Sequence, residues 1–225
     1  MKEESTESLQ LQAYEAIRQG IVYARYAPGD KLQVKDLCAD FDMGRTPVRE
    51  SLVRLRQEGL VDTIPQSGTY VSKISLTSVE SARYVREALE SQISVECCAL
   101  LDEEGKHTIE ALLQEGRDAL ASQDRRAFFD ADNKLHESFY QIAGKERIWE
   151  WLQQISIDLM RYRWLRMETE ELDWQSIISQ HEEICDALFR RRTDEVHFLV
   201  VNHLHLLFSE SAAVVERFPS YFTKE

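Results

Sequence analysis

The stretch from Gly44 to Leu60, GRTPVRESLVRLRQEGL, joins a helix start, a run of arginines and an apolar stripe, and it narrows the possible folds more than any other feature. Thr46 reads as an N-cap whose hydroxyl accepts an orphan amide proton, and Pro47 as the first helical residue, where a missing N–H costs nothing. Val48, Leu52 and Leu55 recur at helical spacing and bury one face. Arg45, Thr46 and Arg49 lie in or just before the first turn on an adjoining side. Arginine forks read guanine edges and phosphates, and side chains at the front of a helix suit insertion into a major groove. A solvated amphipathic helix with a capping threonine shows the same pattern, so the flanking segments decide between the two.

Those segments favour the reading helix. Leu9 to Tyr26 carries Leu11, Tyr14, Ile17, Ile21 and Val22 at helical spacing and stops before the turn Pro28-Gly29-Asp30. Lys35 to Phe41, with Leu37, Cys38 and Phe41 inward, predicts a short second helix, and Asp42-Met43-Gly44 a tight turn, which together make a helix-turn-helix. Residues 60–64 and 69–72 read as two short strands around Pro65-Gln66-Ser67-Gly68, a hairpin wing.

Pro28-Gly29-Asp30-Lys31-Leu32, Arg45-Thr46-Pro47-Val48-Arg49-Glu50, Glu58-Gly59-Leu60-Val61 and Gly68-x-x-Val71 resemble, in order and spacing, the winged-helix signature of GntR-family transcriptional regulators over about residues 9 to 74. Gly44 departs from the family, which often has serine or threonine there. The resemblance implies that Arg45, Thr46 and Arg49 contact bases and phosphates, that Lys35 reaches the DNA backbone, and that the wing tip at Ser67 and Gly68 approaches the minor groove.

The chain of 225 residues fits two domains, divided here as 1–74 and 75–225. A net charge of −13 argues at first against a nucleic-acid partner. The charge is unevenly placed, however: 10 Lys+Arg face 11 Asp+Glu up to Ser75, against 17 and 29 beyond it. Gly44 to Leu60 holds four arginines and two glutamates, so the reading helix is locally basic. A polar, acidic N-terminus and the absence of about 18 consecutive apolar residues predict a cytoplasmic protein. Cys38, Cys97, Cys98 and Cys185 show no C-x-x-C pairing and read as reduced core thiols.

From Ser78 onward the pattern is helical almost throughout. A capping box at Thr77-Ser78-Val79-Glu80 opens segments 78–101, 108–122, 125–143, 146–169, 173–191 and 195–217, with breaks at 102–106, 123–124, 144–145, 170–172 and 192–194. The expected fold is therefore mostly α: a winged helix-turn-helix followed by an antiparallel bundle of about six helices. Asp132 and His136 stand four apart on one helix, while His181 and His203 lie on the last two, so four ligands can converge from three helices. Each histidine alone reads as a polar or hydrogen-bonded core residue. The set points to a divalent ion, zinc first, with nickel or manganese also suited, and leaves positions open for water or an anion.

Asp132-x-x-x-His136 and the two later histidines resemble the metal ligands of the FCD effector domain found in the FadR branch of that family, and Arg86-Glu87-Ala88-Leu89-Glu90 resembles its Arg-x-x-Leu-Glu. The resemblance implies a homodimer on an inverted-repeat operator, most commonly a repressor, controlled by a small carboxylate that binds the metal and Arg86. An Arg86–Glu90 helical ion pair is the plainer explanation of that arginine. His107, His197 and His205 read as surface or structural residues, and Trp149, Trp151, Trp164 and Trp174 with Tyr140 and Tyr162 are expected in the core or a dimer contact. Two other readings stay open: a metalloenzyme using the Asp/His site to activate water, and a regulator whose metal is purely structural.

Overall fold

The computed structural model describes residues 2–169, 173–206 and 211–224, with side chains from Leu9 onward. The chain opens with α1 (Lys2–Val22), β1 (Lys31–Leu32), α2 (Val34–Phe41), α3 (Arg45–Gln57), β2 (Val61–Ile64) and β3 (Gly68–Val71). α1 ends earlier than the periodicity suggests because Ala24 turns left-handed and the Tyr26 amide donates back to the Gly20 carbonyl at 2.9 Å. That reversal lays the Tyr26 ring on Gly20, where a Cβ would come within 2.7 Å of it. Ile17, Ile21, Leu37, Val48, Leu52, Leu55, Leu60 and Val71 form the core of this half.

Two expectations for the reading helix need correction. α3 begins at Arg45 with Gly44 as N-cap, in extended backbone, so Thr46 is inside the first turn and does not cap. Pro47 is compatible with this because none of the first four helical amides has an intrahelical acceptor. The sheet has three antiparallel strands in the order β1-β3-β2, one more than expected. β1 is two residues long, too short for alternation to reveal it; Lys31 faces Tyr70, and across the hairpin Thr63 faces Thr69 and Ile64 faces Gly68.

The second half comprises α4 (Leu76–Leu100), α5 (Glu103–Ser122), α6 (Arg125–Ile142), α7 (Glu146–Ile155), α8 (Ile157–Arg166), α9 (Trp174–Phe189), α10 (Thr193–Leu206) and α11 (Ser211–Arg217). Ser75, rather than Thr77, caps α4 by accepting from the Ser78 amide at 3.2 Å. Asp102 caps α5, accepting from Gly105 at 2.8 Å, so the break expected over 102–106 shrinks and Gly105 is helical, seated close to Leu101 and Ile142. The single helix expected over 146–169 is two, bent at Ser156. The bend lets Leu159, Tyr162 and Leu165 join Ile74, Val79 and Phe222 in an apolar cluster at the junction of the two halves. The expected break at 170–172, and residues 207–210 of the last expected helix, lie outside the described residues.

α4 packs against α10, and α6 against α5, around a core that includes Ile93, Cys97, Leu135, Phe139, Tyr140, Leu188, Val196 and Leu204. Cys97, Cys98 and Cys185 are buried thiols, whereas Cys38 is only half-buried. Trp149 and Trp164 are buried, Trp174 stacks on Phe128, and Trp151 is exposed. The stretch Thr193–Arg217 is long and apolar enough on composition to cross a bilayer. Val196, Val200, His203 and Leu204 within it are buried inside the protein.

Leu55 is fully buried at the centre of the first half. Leu55→Ala should lower the unfolding free energy by about 2–5 kcal/mol, as measured by urea denaturation, because the surrounding helices cannot close the cavity.

Candidate metal centre and DNA-reading surface

Polar side chains meet inside the bundle because two helices present i, i+4 pairs to one another. α4 contributes Arg86 and Glu90, and α6 contributes Asp132 and His136. His181 on α9 and His203 on α10 complete the cluster, and ligand atoms of the three histidines lie within 4.8 Å of one another. His181 Nε2 stands 3.2 Å from His203 Nε2 and 3.6 Å from Asp132 Oδ1, while His136 Nε2 stands 4.0 Å from Asp132 Oδ2. The four residues singled out in the sequence therefore converge.

The outer contacts fix how these rings face. His136 Nδ1 is hydrogen-bonded to the Glu90 carboxylate, and His203 Nδ1 donates to Gln180 Oε1 at 2.7 Å. Both rings consequently turn Nε2 toward the centre, and His136 Nε2 is buried with no hydrogen-bond partner among the described residues. An imidazole held at one nitrogen by an oxygen, with its other nitrogen bare, is the arrangement that metal-ligating histidines adopt. Arg86 donates from Nε to Glu90 at 3.1 Å and leaves Nη2 buried and unpartnered. The helical pair with Glu90 thus exists, inside the core rather than on the surface. Arg163 on α8 closes on Asp132 and donates to Asn133 Oδ1 at 2.7 Å.

The titration behaviour suits ligands. Burial pushes the His181 pKa down to about 4, against the opposing pull of Asp132, and holds His203 well below its ordinary value. Both rings are neutral at physiological pH, and in the metal-free protein their Nε2 atoms are hydrogen-bonded to each other. Burial alone would raise the carboxylates, but Arg86 and His136 hold Glu90 down at about 2, and Arg163 with the histidines holds Asp132 well below the usual range. Three imidazoles and an ionised carboxylate match the donor preferences of zinc, nickel and manganese. Beside Asp132 and His181 lies a cavity of about 10 Å³, walled by Leu113, Phe128, Leu135 and Ile178.

At the other end of the molecule, Lys35, Arg45, Thr46, Arg49 and Ser67 are exposed, and Gly68 is half-exposed at the wing turn. Arg54 pairs with Glu58 at 3.0 Å and lies over the Tyr14 ring, whereas Arg45, Arg49 and Arg56 pair with no carboxylate among the described residues. Gly68 has a positive φ, and a Cβ there would meet Lys31, whose ammonium lies 5.7 Å from the Tyr70 ring centre. Lys31 is thus an exposed cation beside the wing; its motif belongs to the winged-helix signature, but its strand is too short for the sequence pattern to place it there. Glu90, Gln180 and Arg163 were likewise not selected as parts of the centre. A charge inside the apolar run Leu159 to Leu165 was the available sign for Arg163. His107, His197 and His205 are exposed as expected.

Comparison with known proteins agrees with both ends. Residues 9–71 match the family described as bacterial regulatory proteins, gntR family, and residues 83–206 match the FCD domain. The chain is 27% identical to the HTH-type transcriptional repressor RspR of Escherichia coli strain K12, over 98% of this chain and 96% of that one. It is 30% identical to an uncharacterised HTH-type transcriptional regulator in an unstable DNA locus of Streptomyces ambofaciens, over 94% of this chain and 89% of that one. Among solved structures, E. coli McbR/YncC superposes with a TM-score of 0.78 at 16% identity, covering 93% of this chain and 98% of that one. A putative GntR regulator from Rhodococcus sp. RHA1 follows at 0.73 and 20%, covering 94% and 99%. At those identities the structures show the shared fold.

Because the folded pKa of His181 lies below its ordinary 6.5, unfolded chains take up a proton first as pH falls. Stability of the metal-free protein should therefore be intact above pH 6.5 and decline between about 6.5 and 4, by on the order of 3 kcal/mol from this group. Urea midpoints at stepped pH check this, and His181→Gln should flatten the decline.

Proposed function

We propose, because this chain belongs to the GntR family of bacterial regulatory proteins and carries its FCD domain, that it is a homodimeric transcriptional repressor released or engaged by a small carboxylate at a divalent metal. Residues 1–74 are the reading head and 75–225 the effector and dimerisation domain. Family and relatives are regulators of transcription, which rules against the enzymatic use of the Asp/His site.

The observation that carries the metal is the convergence of three buried imidazoles, two of them braced at Nδ1 by Glu90 and Gln180. Asp132, His136, His181 and His203 would hold the ion, with zinc the first choice. Such an ion supplies a concentrated positive charge that attracts an anionic ligand. Arg86 supports a carboxylate as that ligand, since its unpartnered Nη2 is a buried donor in need of an acceptor. On the DNA side, Arg45, Thr46 and Arg49 are free to reach base edges, Lys35 the backbone, and Ser67 with Gly68 the minor groove. Two copies across a two-fold axis would read an inverted repeat. A polar, charged regulator of this kind works in the cytoplasm.

The 10 Å³ cavity favours one further reading, in which the ion is structural, because it has room for little more than a water. Under that reading chelation melts the bundle and small acids leave DNA affinity unchanged.

Selection of bound duplexes from a random library supplies the operator. On it, Arg49→Ala should cost about 1–3 kcal/mol of binding and relax specificity at one position, read by fluorescence anisotropy at fixed salt. The double variant His181→Ala/His203→Ala should bind operator as the metal-free wild type does and lose both zinc affinity and response to small carboxylates. An unchanged response in that variant would sink the effector reading.

A further inference from the structure

α8 touches both halves of the protein. Arg163, on one side of it, closes on Asp132, and its other contacts among the described residues are Asn133 and the Phe129 ring at 4.9 Å. Two residues earlier Arg161, 2% exposed, donates to Ser72 Oγ at 3.2 Å and to the Ser72 carbonyl at 2.5 Å. Asp158 accepts from Arg161 at 3.2 Å and from the Ser75 amide at 3.0 Å.

The receiving segment is firmly placed. Ser72 follows β3 directly, its amide donates to the Leu60 carbonyl at 3.0 Å, and its hydroxyl donates to the Gly59 carbonyl at 2.6 Å. It is therefore fixed to the chain just beyond the reading helix. Ser75 caps α4, which carries Arg86 and Glu90. One ten-residue helix is thus fastened to the candidate metal ligands on one side and to the wing exit on the other.

Asp132 also has two claimants. Its Oδ2 accepts from Arg163 and lies 4.0 Å from His136 Nε2, while Oδ1 lies 3.6 Å from His181 Nε2. A dication sharing that carboxylate brings like charge against a guanidinium in a site where little water screens the repulsion. Asn133 and an aromatic face are the neutral contacts left to Arg163.

We propose that Arg163 is the metal's rival for Asp132, and that Arg163 gives up this bond when the site is loaded, shifting α8 and, through Arg161 and Asp158, the wing exit at Ser72–Ser75. The inference rests on the metal reading above and adds how that site reaches the DNA-binding half. It ties the site to DNA by a two-state element biased from both ends, so metal and operator affinity must shift each other by the same factor.

The test titrates zinc into the full-length protein against a chromophoric chelator, with Arg163→Met and Arg163→Lys beside the wild type. Removing the rival charge should tighten zinc several-fold and enlarge the zinc-induced rise in Tm, because the metal-free variant is left with an unpaired buried Asp132. Lysine should return the affinity toward the wild-type value. An arginine that merely shapes the site predicts the opposite sign, weaker zinc in the Met variant, and that result overturns the inference alone. Hydrogen exchange on the wild type provides the second readout, and decides by itself if the Met variant does not fold. Zinc should alter exchange at the Ser72 and Ser75 amides and along α8; changes confined to α6, α9 and α10 overturn the link. Zinc that fails to bind the wild type overturns both the inference and the reading beneath it.

Discussion

Two carboxylates across from each other, Glu90 fully buried on α4 and Asp132 largely buried on α6, set terms that the rest of the bundle has to meet. A charge removed from water is tolerated only when partners replace the lost hydration. Arg86 and His136 do this for Glu90, and Arg163 for Asp132. The partners come from three helices, so the register of α4, α6 and α8 is fixed by electrostatics as well as by apolar packing. His181 and His203 enter the same volume without charge, since burial lowers both pKa values. The result is a polar centre whose positive and negative groups nearly balance, with three imidazole Nε2 atoms facing inward.

This balance bears on the sensing role proposed for the centre. An ion added to a neutral, well-packed pocket of apolar residues would find no donors. Here it would meet imidazole and carboxylate donors, one of which, Asp132, is already paired with Arg163, and the proposed coupling rests on that competition. The same chain keeps the arginines at the start of α3 apart from such pairing among the described residues. Arg54 is tied to Glu58, whereas Arg45 and Arg49 are exposed and pair with no carboxylate among the described residues. Local placement of charge therefore outweighs the overall acidity of −13, most of which lies beyond Ser75.

Much of this was legible in the sequence, for reasons that differ from place to place. Arg45, Arg49 and the stripe Val48, Leu52, Leu55 lie within one helix, so local spacing reveals them. The helix start was misplaced from Gly44 to Thr46 because glycine carries no side chain to announce a cap. β1 escaped because two residues show no period. Asp132 and His136 were visible as an i, i+4 pair, and His181 and His203 through family likeness. Glu90 and Gln180, which brace two of the imidazoles, were hidden because bracing is a contact between helices rather than a spacing along one. The bend at Ser156 was hidden likewise: it is imposed by where Leu159, Arg161 and Tyr162 must go, and the local residues favour a continuous helix. Arg86 was recognised as important, but its Glu90 partner is buried and structural rather than an ordinary surface pair.

The most direct measurement of the central claim is X-ray absorption at the zinc edge of the full-length protein loaded with one equivalent of zinc. The account predicts nitrogen and oxygen donors only, with the multiple-scattering pattern of three imidazoles, from His136, His181 and His203. Sulfur donors, or fewer than two imidazoles, would place the ion elsewhere and contradict it.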